Sequence, residues 1–233
     1  MSEEIIKRPK KSSQTMEEKL NTLRAGVLGS NDGILTVVGV LFSVAVATTN
    51  QFTIFIAGLS DLLACAFSMA SGEYASVSTQ RDTEESVVRT EKRLLKTNYA
   101  EEIKAVINHY TDLGVKEATA TKIANELMAK KPLETIISVK YDLTLNHYMN
   151  PWNAAFSSLF SAAAGGIFPL AAMTLSPVAF KWPATILAVC LSVAVTGFLS
   201  AKLGKGLVKT AMIRNVIVGI VTMIIHYSIG LLL

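Results

Sequence analysis

Three carboxylates lie within stretches of this sequence that are otherwise apolar enough to cross a membrane. Asp32 stands in RAGVLGSNDGILTVVGVLFSVAVAT, and Asp61 and Glu73 stand in FTIFIAGLSDLLACAFSMASGEYASV. A charged side chain at the centre of a bilayer costs about 2.5–3.5 kcal/mol on insertion scales, so it persists only where it faces a partner, a cavity or an ion. The three acids therefore predict a polar pathway through the membrane.

The second of these stretches also carries sulfur. On a helix, Asp61, Cys65, Met69 and Glu73 recur every fourth residue and share one face. Oxygen ligands alone suit Mg²⁺, Ca²⁺ and Mn²⁺, whereas a thioether adds softness that a first-row transition metal tolerates. We therefore expect Asp32, Asp61 and Met69 to select Fe²⁺, Mn²⁺ or Co²⁺, with Glu73 at the cytosolic mouth, and interpret Cys65 as packing.

Each of these assignments has a simpler alternative. Met69 could be ordinary apolar filler, and Asp32 could cap broken helix backbone between residues 29 and 33, which a membrane tolerates only beside a cavity or inside protein. Asp61 could be an interfacial or neutral acid, and Glu73 could lie at the level of the lipid headgroups. The sequence leaves these alternatives open.

The elements that must position these residues are membrane helices. Hydrophobic residues make up 51% of the 233, mean hydropathy is +0.41, and five apolar runs approach the ~20 residues that a helix needs to cross a bilayer. The predicted spans are 25–48, 52–75, 154–175, 182–203 and 211–232. The first 24 residues are polar and lack the apolar core of a signal peptide. We expect an all-α polytopic membrane protein with five transmembrane helices.

The distribution of Lys and Arg predicts the orientation. Of the 22 basic residues, all but Lys181 fall on one side of the predicted membrane, which by the positive-inside rule is the cytosol. The predicted organisation is a cytosolic tail (1–24), spans one and two (25–79), a cytosolic helical insert (80–150) and spans three to five (151–233). Topology thus explains the pI of about 9.0, and we expect no nucleic-acid partner.

The sequence of the cytosolic insert (80–150) predicts helices along its whole length. Glycine is absent between Gly72 and Gly114, and proline between Pro9 and Pro132, so the second span should continue as one helix of over 40 residues. Asn98, with Glu101 three residues later, resembles a capping box. Three shorter helices are expected at 99–112, at 116–130 and from Pro132 to about Tyr148.

Three motifs carry a resemblance to a known family. SNDG in the first span, SMASGEYASVSTQRD leaving the second and MNPWNAAFSSLFSAAAGGIFPL entering the third closely resemble the vacuolar iron transporter family, which has bacterial members. The resemblance runs over nearly the whole chain. It implies a homodimer that exports Fe²⁺, often also Mn²⁺, from the cytosol in exchange for protons. By the family pattern, Asp32 and Met69 match intramembrane metal ligands and Asp61 matches an acid linked to the path and its protons.

The cytosolic metal-binding domain that the resemblance implies is only partly matched. The family places glutamates in pairs one turn apart on two helices, but this chain has Glu91 and Glu102 at the first position of each pair and Leu94 and Ala105 at the second. On the third helix, only Asp142 stands where the family supplies a carboxylate. We expect Glu91, Glu102 and Asp142 to capture metal weakly, or the domain to serve chiefly in dimerisation.

The remaining polar residues add no second chemistry. His109 and His147 lack a neighbour at ligand spacing, and His226 in the last span is predicted to make interhelical hydrogen bonds. No arrangement of nucleophile, base and orienting residue is visible, so we expect a transporter without a tightly bound cofactor and not an enzyme.

The sequence leaves the mechanism and the cargo open. The alternatives are a membrane-anchored metal sensor that does not transport and a passive channel for divalent metal. The same ligands suit Fe²⁺ and Mn²⁺. The short loops favour a bacterial plasma membrane, with the N-terminus in the cytosol and the C-terminus outside.

Overall fold

The structure is a computed structural model that describes residues 16–145 and 148–232. The predicted N-terminal tail lies outside the described residues up to position 15, and His147 lies outside them as well. The described residues form α-helices and the loops between them, which confirms the all-α class. The helices are α1 (Met16–Ala47), α2 (Gln51–Thr97), α3 (Tyr99–Asp112), α4 (Glu117–Lys130), α5 (Pro132–Tyr141), α6 (Pro151–Leu175), α7 (Lys181–Leu203) and α8 (Val208–Leu232).

Five of these helices are long and apolar enough to cross a membrane. They are α1 from Leu20 onward, α2, α6, α7 and α8, and they coincide with the five predicted spans. The chain divides into two compact units, one containing residues up to 75 and from 151 onward, the other containing residues 76–150. The 47 residues of α2 confirm the long helix that the absence of glycine and proline predicts.

The first unit is built around α1, whose glycines allow close contact with α6. A Cβ atom at Gly33 would overlap the carbonyl oxygen of Ala162, and one at Gly29 would lie 2.7 Å from the carbonyl oxygen of Ser158. Small residues of this kind let membrane helices approach where no hydrophobic force drives them together. α1 is continuous through residues 29–33, so the alternative of broken backbone at Asp32 is wrong. The glycines serve helix packing.

A single apolar cluster continues from this contact. Val37, Val38 and Leu41 of α1 are completely buried and pack with Met173 of α6 and Val189 of α7. The face of α1 that carries these residues, just after Asp32 in the helix, is therefore enclosed by other helices. This fixes the rotation of α1 and hence the direction in which Asp32 points.

The second unit has its own small core. Val106 of α3, Ala124 and Met128 of α4 and Ile136 of α5 are buried against one another. Of the predicted helix boundaries in this unit, the end of α5 is wrong, because the helix stops at Tyr141 and not near residue 148. Asp142 adopts a left-handed conformation (φ 53°, ψ 33°) that ends the helix, and its N–H bonds to the carbonyl of Ser138.

The start of α3 also differs from the prediction. Asn98 is the N-cap residue, but its side chain makes no capping hydrogen bond, so the predicted capping box is absent. The backbone carbonyl of Asn98 instead accepts the N–H groups of Glu101 and Glu102, at 3.0 and 3.2 Å. The C-terminal end of α3 lies where the sequence predicts it. Gly114 follows the helix with a positive φ of 88°, a backbone conformation that glycine adopts more easily than other residues.

Candidate functional site

Asp32 is held by α1 at the point where this helix faces α2. Its side chain is half-buried, and the thiol of Cys65 on α2 donates a hydrogen bond to Oδ2 of Asp32 with a distance of 3.4 Å between sulfur and oxygen. Cys65 itself is buried. The sequence interpretation of Cys65 as packing is therefore incomplete, because the thiol also touches the predicted ligand.

Asp61 lies one turn before Cys65 on α2. Its Oδ2 atom is fully buried and has no hydrogen-bond partner among residues 16–145 and 148–232. Thr36 is close enough to donate a hydrogen bond to the Asp61 carboxylate, and Asp32 and His226 interact with it electrostatically. Asp32 contacts Cys65, one turn from Asp61, so the acids of the first two spans lie in the same region. One carboxylate oxygen of Asp61 has no donor among the described residues and could take a proton or a cation.

His226 reaches this region because Gly39 has no side chain. A Cβ atom at Gly39 would lie 2.8 Å from Nε2 of the imidazole, so the ring occupies the space that any other residue would fill. Nδ1 lies 2.9 Å from the carbonyl of Thr222 in the same helix, while the backbone carbonyl of His226 accepts a hydrogen bond from Ser43. The sequence did not predict that His226 lies close to Asp61. The contact depends on Gly39, which is far from His226 along the chain, so no short motif indicates it.

Met69 lies one turn beyond Cys65, in a separate small cluster. Cys65 and Ala66 pack there with Ala162 of α6, and Met69 is partly buried against them. The predicted face of α2 that carries Asp61, Cys65 and Met69 is therefore turned toward other helices of the unit. The thioether of Met69 lies one turn from the Cys65 thiol, on the same face of α2.

Glu73 is paired with a basic residue of α1. Its Oε2 lies 3.4 Å from the guanidinium of Arg24, and the side chain of Glu73 is 8% exposed whereas that of Arg24 is 55% exposed. The sequence by itself predicts no partner for Glu73. The ion pair joins the start of α1 to the end of the membrane-spanning part of α2.

A lysine occupies the space between the two predicted cytosolic glutamates. The Lys140 ammonium lies 2.5 Å from Oε2 of Glu102 and 3.4 Å from Oε2 of Glu91, and Tyr141 donates a hydrogen bond of 2.7 Å to Oε1 of Glu91. The side chains of Glu91 and Glu102 are 1% and 5% exposed, against 26% for Lys140. The ammonium of Lys140 therefore offsets part of the negative charge of these two carboxylates.

The electrostatics of this cluster follow from that geometry. Burial by itself lowers the pKa of Lys140, but the hydrogen bond to Glu102 and the charges of Glu91 and Glu102 outweigh it and raise the pKa above its usual value. The hydrogen bond to Glu91, with burial, raises the pKa of Tyr141. Lys140 is thus charged at neutral pH and Tyr141 keeps its proton.

The other positions of the predicted cytosolic site lie apart from this cluster. Asp142 is exposed and carries the left-handed turn that ends α5. Leu94 and Ala105 are half-buried and supply no ligand atoms. Within residues 16–145 and 148–232, no group of three His, Cys, Asp or Glu side chains is arranged to hold a metal ion. A cation at the membrane acids would need further ligands such as the Met69 sulfur, backbone carbonyls or water.

The chain is similar in sequence to one family of membrane transport proteins. A profile of the VIT family matches residues 23–231. The chain is 32% identical over 213 residues to a vacuolar iron transporter of Acanthamoeba castellanii, covering 90% of this chain and 78% of the relative. It is 25% identical over 225 residues to vacuolar iron transporter homolog 2.1 of Arabidopsis thaliana, with coverage of 95% and 87%. Vacuolar iron transporter homolog 1 of Oryza sativa subsp. japonica is 28% identical over 211 residues, with coverage of 89% and 72%.

Proposed function

The chain belongs to the VIT family, and from this premise we propose that it exports divalent iron or manganese from the cytosol in exchange for protons, acting as a homodimer. The relatives are named as iron transporters, which supports metal ions as the cargo. The observation that supports the proposal is the hydrogen bond between Asp32 of α1 and Cys65 of α2, because Cys65 lies one turn from Asp61 and both acids therefore belong to the same region of the membrane-spanning unit. Acidic residues persist at that depth in a membrane only where they bind an ion, carry a proton or face a polar partner.

The chemistry of the pair supports exchange with protons. A carboxylate must lose its proton before it binds a metal ion, so the two cations compete for the same oxygens. Oδ2 of Asp61 is buried without a donor in the described part of the chain, and Asp32 lies close enough to interact with it. When no metal is bound, a proton on either acid relieves the repulsion between them.

Sulfur near the acids supports a transition metal over the abundant hard cations. Cys65 contacts Asp32 directly, and Met69 lies one turn further along the same helix face. We assign Asp32, Asp61 and Met69 as the transport ligands, and Glu73 to the mouth of the path. Mg²⁺ gains little from a thioether, whereas Fe²⁺ and Mn²⁺ accept one.

The cytosolic unit has a reduced role in this proposal. Lys140 already supplies a positive charge between Glu91 and Glu102, so a metal ion must displace it or bind elsewhere. We propose that these residues and Asp142 contribute weak capture at most. A unit of about 75 residues also has a small core, which supports a role in contact with a second copy.

The homodimer is supported by the exposed apolar surface of α2. Phe52, Leu63 and Phe67 of α2 are large hydrophobic side chains that remain exposed within the described chain. We propose that a second copy and lipid share this surface. The N-terminus is assigned to the cytosol and the C-terminus to the far side of a bacterial plasma membrane, in agreement with the positive-inside rule.

Transport into sealed vesicles tests the proposal. Purified protein in liposomes should move Fe²⁺ and Mn²⁺ into the lumen faster when the lumen is acidic, and each metal should slow the uptake of the other. A sensor that does not transport would leave the lumen empty of metal. A passive channel would admit metal at a rate that does not respond to the pH gradient.

A further inference from the structure

An apolar groove opens on the surface of the membrane-spanning unit between α1, α7 and α8. Its volume is about 560 Å³. Ile186 of α7 and Ile224 of α8 are 43% and 60% exposed at its edges, so the groove is open from the side and is not an enclosed cavity. The lining includes Phe42, Trp182, Ile186, Cys190, Met223 and Tyr227. The transport pathway proposed above uses none of these residues.

Aromatic rings form one end of the groove. The ring of Trp182 meets that of Phe42 edge to face at 5.1 Å between centroids, and that of Tyr227 edge to face at 5.6 Å. Trp182 is the second residue of α7, close to the end of the span. Trp and Tyr are enriched at this depth, where the acyl region of a bilayer meets the headgroups.

A buried cation stands beside this aromatic end. Lys181 is 6% exposed, and its ammonium lies 5.8 Å from the centroid of the Trp182 ring. No ion pair between residues that the structure describes involves Lys181, and all 18 acidic residues of the chain precede position 143. A lysine that is buried to this extent requires an anion or a water molecule next to its ammonium group.

We propose that the groove binds an anionic phospholipid, with an acyl chain along the apolar lining and the phosphate paired with Lys181. Charge complementarity selects this occupant, because the lining of the groove is apolar and the Lys181 ammonium lies beside Trp182, one of its lining residues. The first N–H groups of α7 add a further attraction for an anion. A free phosphate would satisfy Lys181 but leave the apolar surface unfilled. The proposal is independent of the transport function.

Tryptophan fluorescence tests the proposal directly, since Trp182 lies in the groove and the chain has two tryptophans. In the Trp152→Phe variant, reconstituted in phosphatidylcholine vesicles, Trp182 is the sole source of tryptophan emission. A minor fraction of brominated phosphatidylglycerol should quench it more strongly than the same fraction of brominated phosphatidylcholine. A lysine near the surface gains about 1 kcal/mol from an anionic lipid, so the expected preference is about fivefold.

Variants of two lysines at opposite ends of α7 make the control. Lys181→Gln should abolish the preference without changing quenching by brominated phosphatidylcholine, and Lys181→Arg should retain it. Lys202 also lies over an aromatic ring, with its ammonium 5.4 Å from the centroid of Phe198, but it is exposed. Lys202→Gln should keep the full preference.

Four results would overturn the proposal. Equal quenching by the two lipids in the chain with native Lys181, or a preference that survives Lys181→Gln, would exclude recognition by this lysine. Absence of quenching by either lipid would mean that protein, such as a second copy, covers the groove. Loss of the preference in phosphate buffer, compared with chloride at equal ionic strength, would indicate a free-anion site.

Discussion

The thiol of Cys65 donates a hydrogen bond to Oδ2 of Asp32, at 3.4 Å, although 33 positions separate the two residues. This contact joins α1 to α2 at the first of the two membrane acids. It also means that one oxygen of Asp32 already has a weak donor, while Oδ2 of Asp61 has none among the described residues. A cation that binds Asp32 through Oδ2 must therefore displace a thiol proton donor, which is easier than displacing an amide or a guanidinium.

Replacing Asp32 by asparagine should reduce the initial rate of metal transport about tenfold or more, equivalent to ~1.4 kcal/mol. The amide preserves the shape of the side chain but removes the negative charge that offsets dehydration of the cation. Uptake of Fe²⁺ or Mn²⁺ into liposomes measures the rate. Asp112→Asn, at an exposed position at the end of α3, is the matched control and should transport normally. Wild-type rates in Asp32→Asn would refute the ligand assignment.

Replacing Met69 by leucine should slow Fe²⁺ transport several-fold and leave the protein folded. The two side chains have similar volume, and such exchanges usually cost less than about 1.5 kcal/mol of stability. Met173→Leu is the control, since Met173 is completely buried in the main core and is not one of the proposed ligands. Equal transport rates in the two variants would show that the Met69 sulfur is not a ligand.

Replacing Lys140 by methionine should strengthen Mn²⁺ binding to the cytosolic unit, because it removes the cation between Glu91 and Glu102. The free-ion signal of Mn²⁺ in paramagnetic resonance, recorded on the full-length protein, measures binding. Without metal the variant should lose about 3 kcal/mol of stability, as expected when a buried pair loses one partner. Lys104→Met, which breaks the exposed pair with Glu101, should change neither quantity. Unchanged Mn²⁺ binding in Lys140→Met would exclude the glutamates as latent ligands.

The pH dependence of this cluster follows from the raised pKa of Lys140. A group whose pKa is higher in the folded state than in the unfolded state stabilises the folded protein. This stabilisation is complete at pH values below the unfolded-state pKa, and it is lost as the pH rises through the folded-state pKa. We therefore expect wild type and Lys140→Met to differ in stability by a constant amount near neutral pH. The difference should shrink only above about pH 10.5, the ordinary value for lysine. Thermal unfolding across alkaline pH tests this, and a difference that shrinks below pH 9 would contradict the assignment.

Asp61→Asn should weaken the dependence of transport on the pH gradient more than it weakens metal binding. Asparagine cannot take up or release the proton that the exchange mechanism assigns to Asp61. Uptake rates in liposomes with an acidic lumen, before and after an ionophore collapses the gradient, measure the effect. A variant that responds to the gradient as strongly as wild type would place the proton on another group.

Gly33→Ala should destabilise the membrane-spanning unit by a few kcal/mol, since the added carbon would overlap the backbone of α6 at Ala162. Gly72→Ala is the control, because a Cβ atom there meets nothing within 4 Å. In a helix interior, that exchange should stabilise by up to about 1 kcal/mol. Thermal unfolding in detergent compares the two, and equal behaviour would argue against the close contact of α1 and α6.

Features that depend on local sequence were predictable. Five apolar runs of sufficient length identify the spans, because hydropathy is a property of each segment alone. The long α2 follows from the absence of glycine and proline over its cytosolic half. The acids at positions 32, 61 and 73 were likewise conspicuous, because a charge within an apolar run stands out without knowledge of any other helix. The end of α5 was not predictable, since the left-handed turn occurs at Asp142 and not at a glycine.

The partners of those acids were decided by tertiary structure alone. Cys65 faces Asp32, Arg24 pairs with Glu73 and Lys140 lies between two glutamates, and each contact joins residues at least 33 positions apart along the chain. These pairings depend on how each helix is rotated about its axis. That rotation is set by close packing, such as Gly33 against Ala162, and packing is a relation between two segments that neither one encodes by itself.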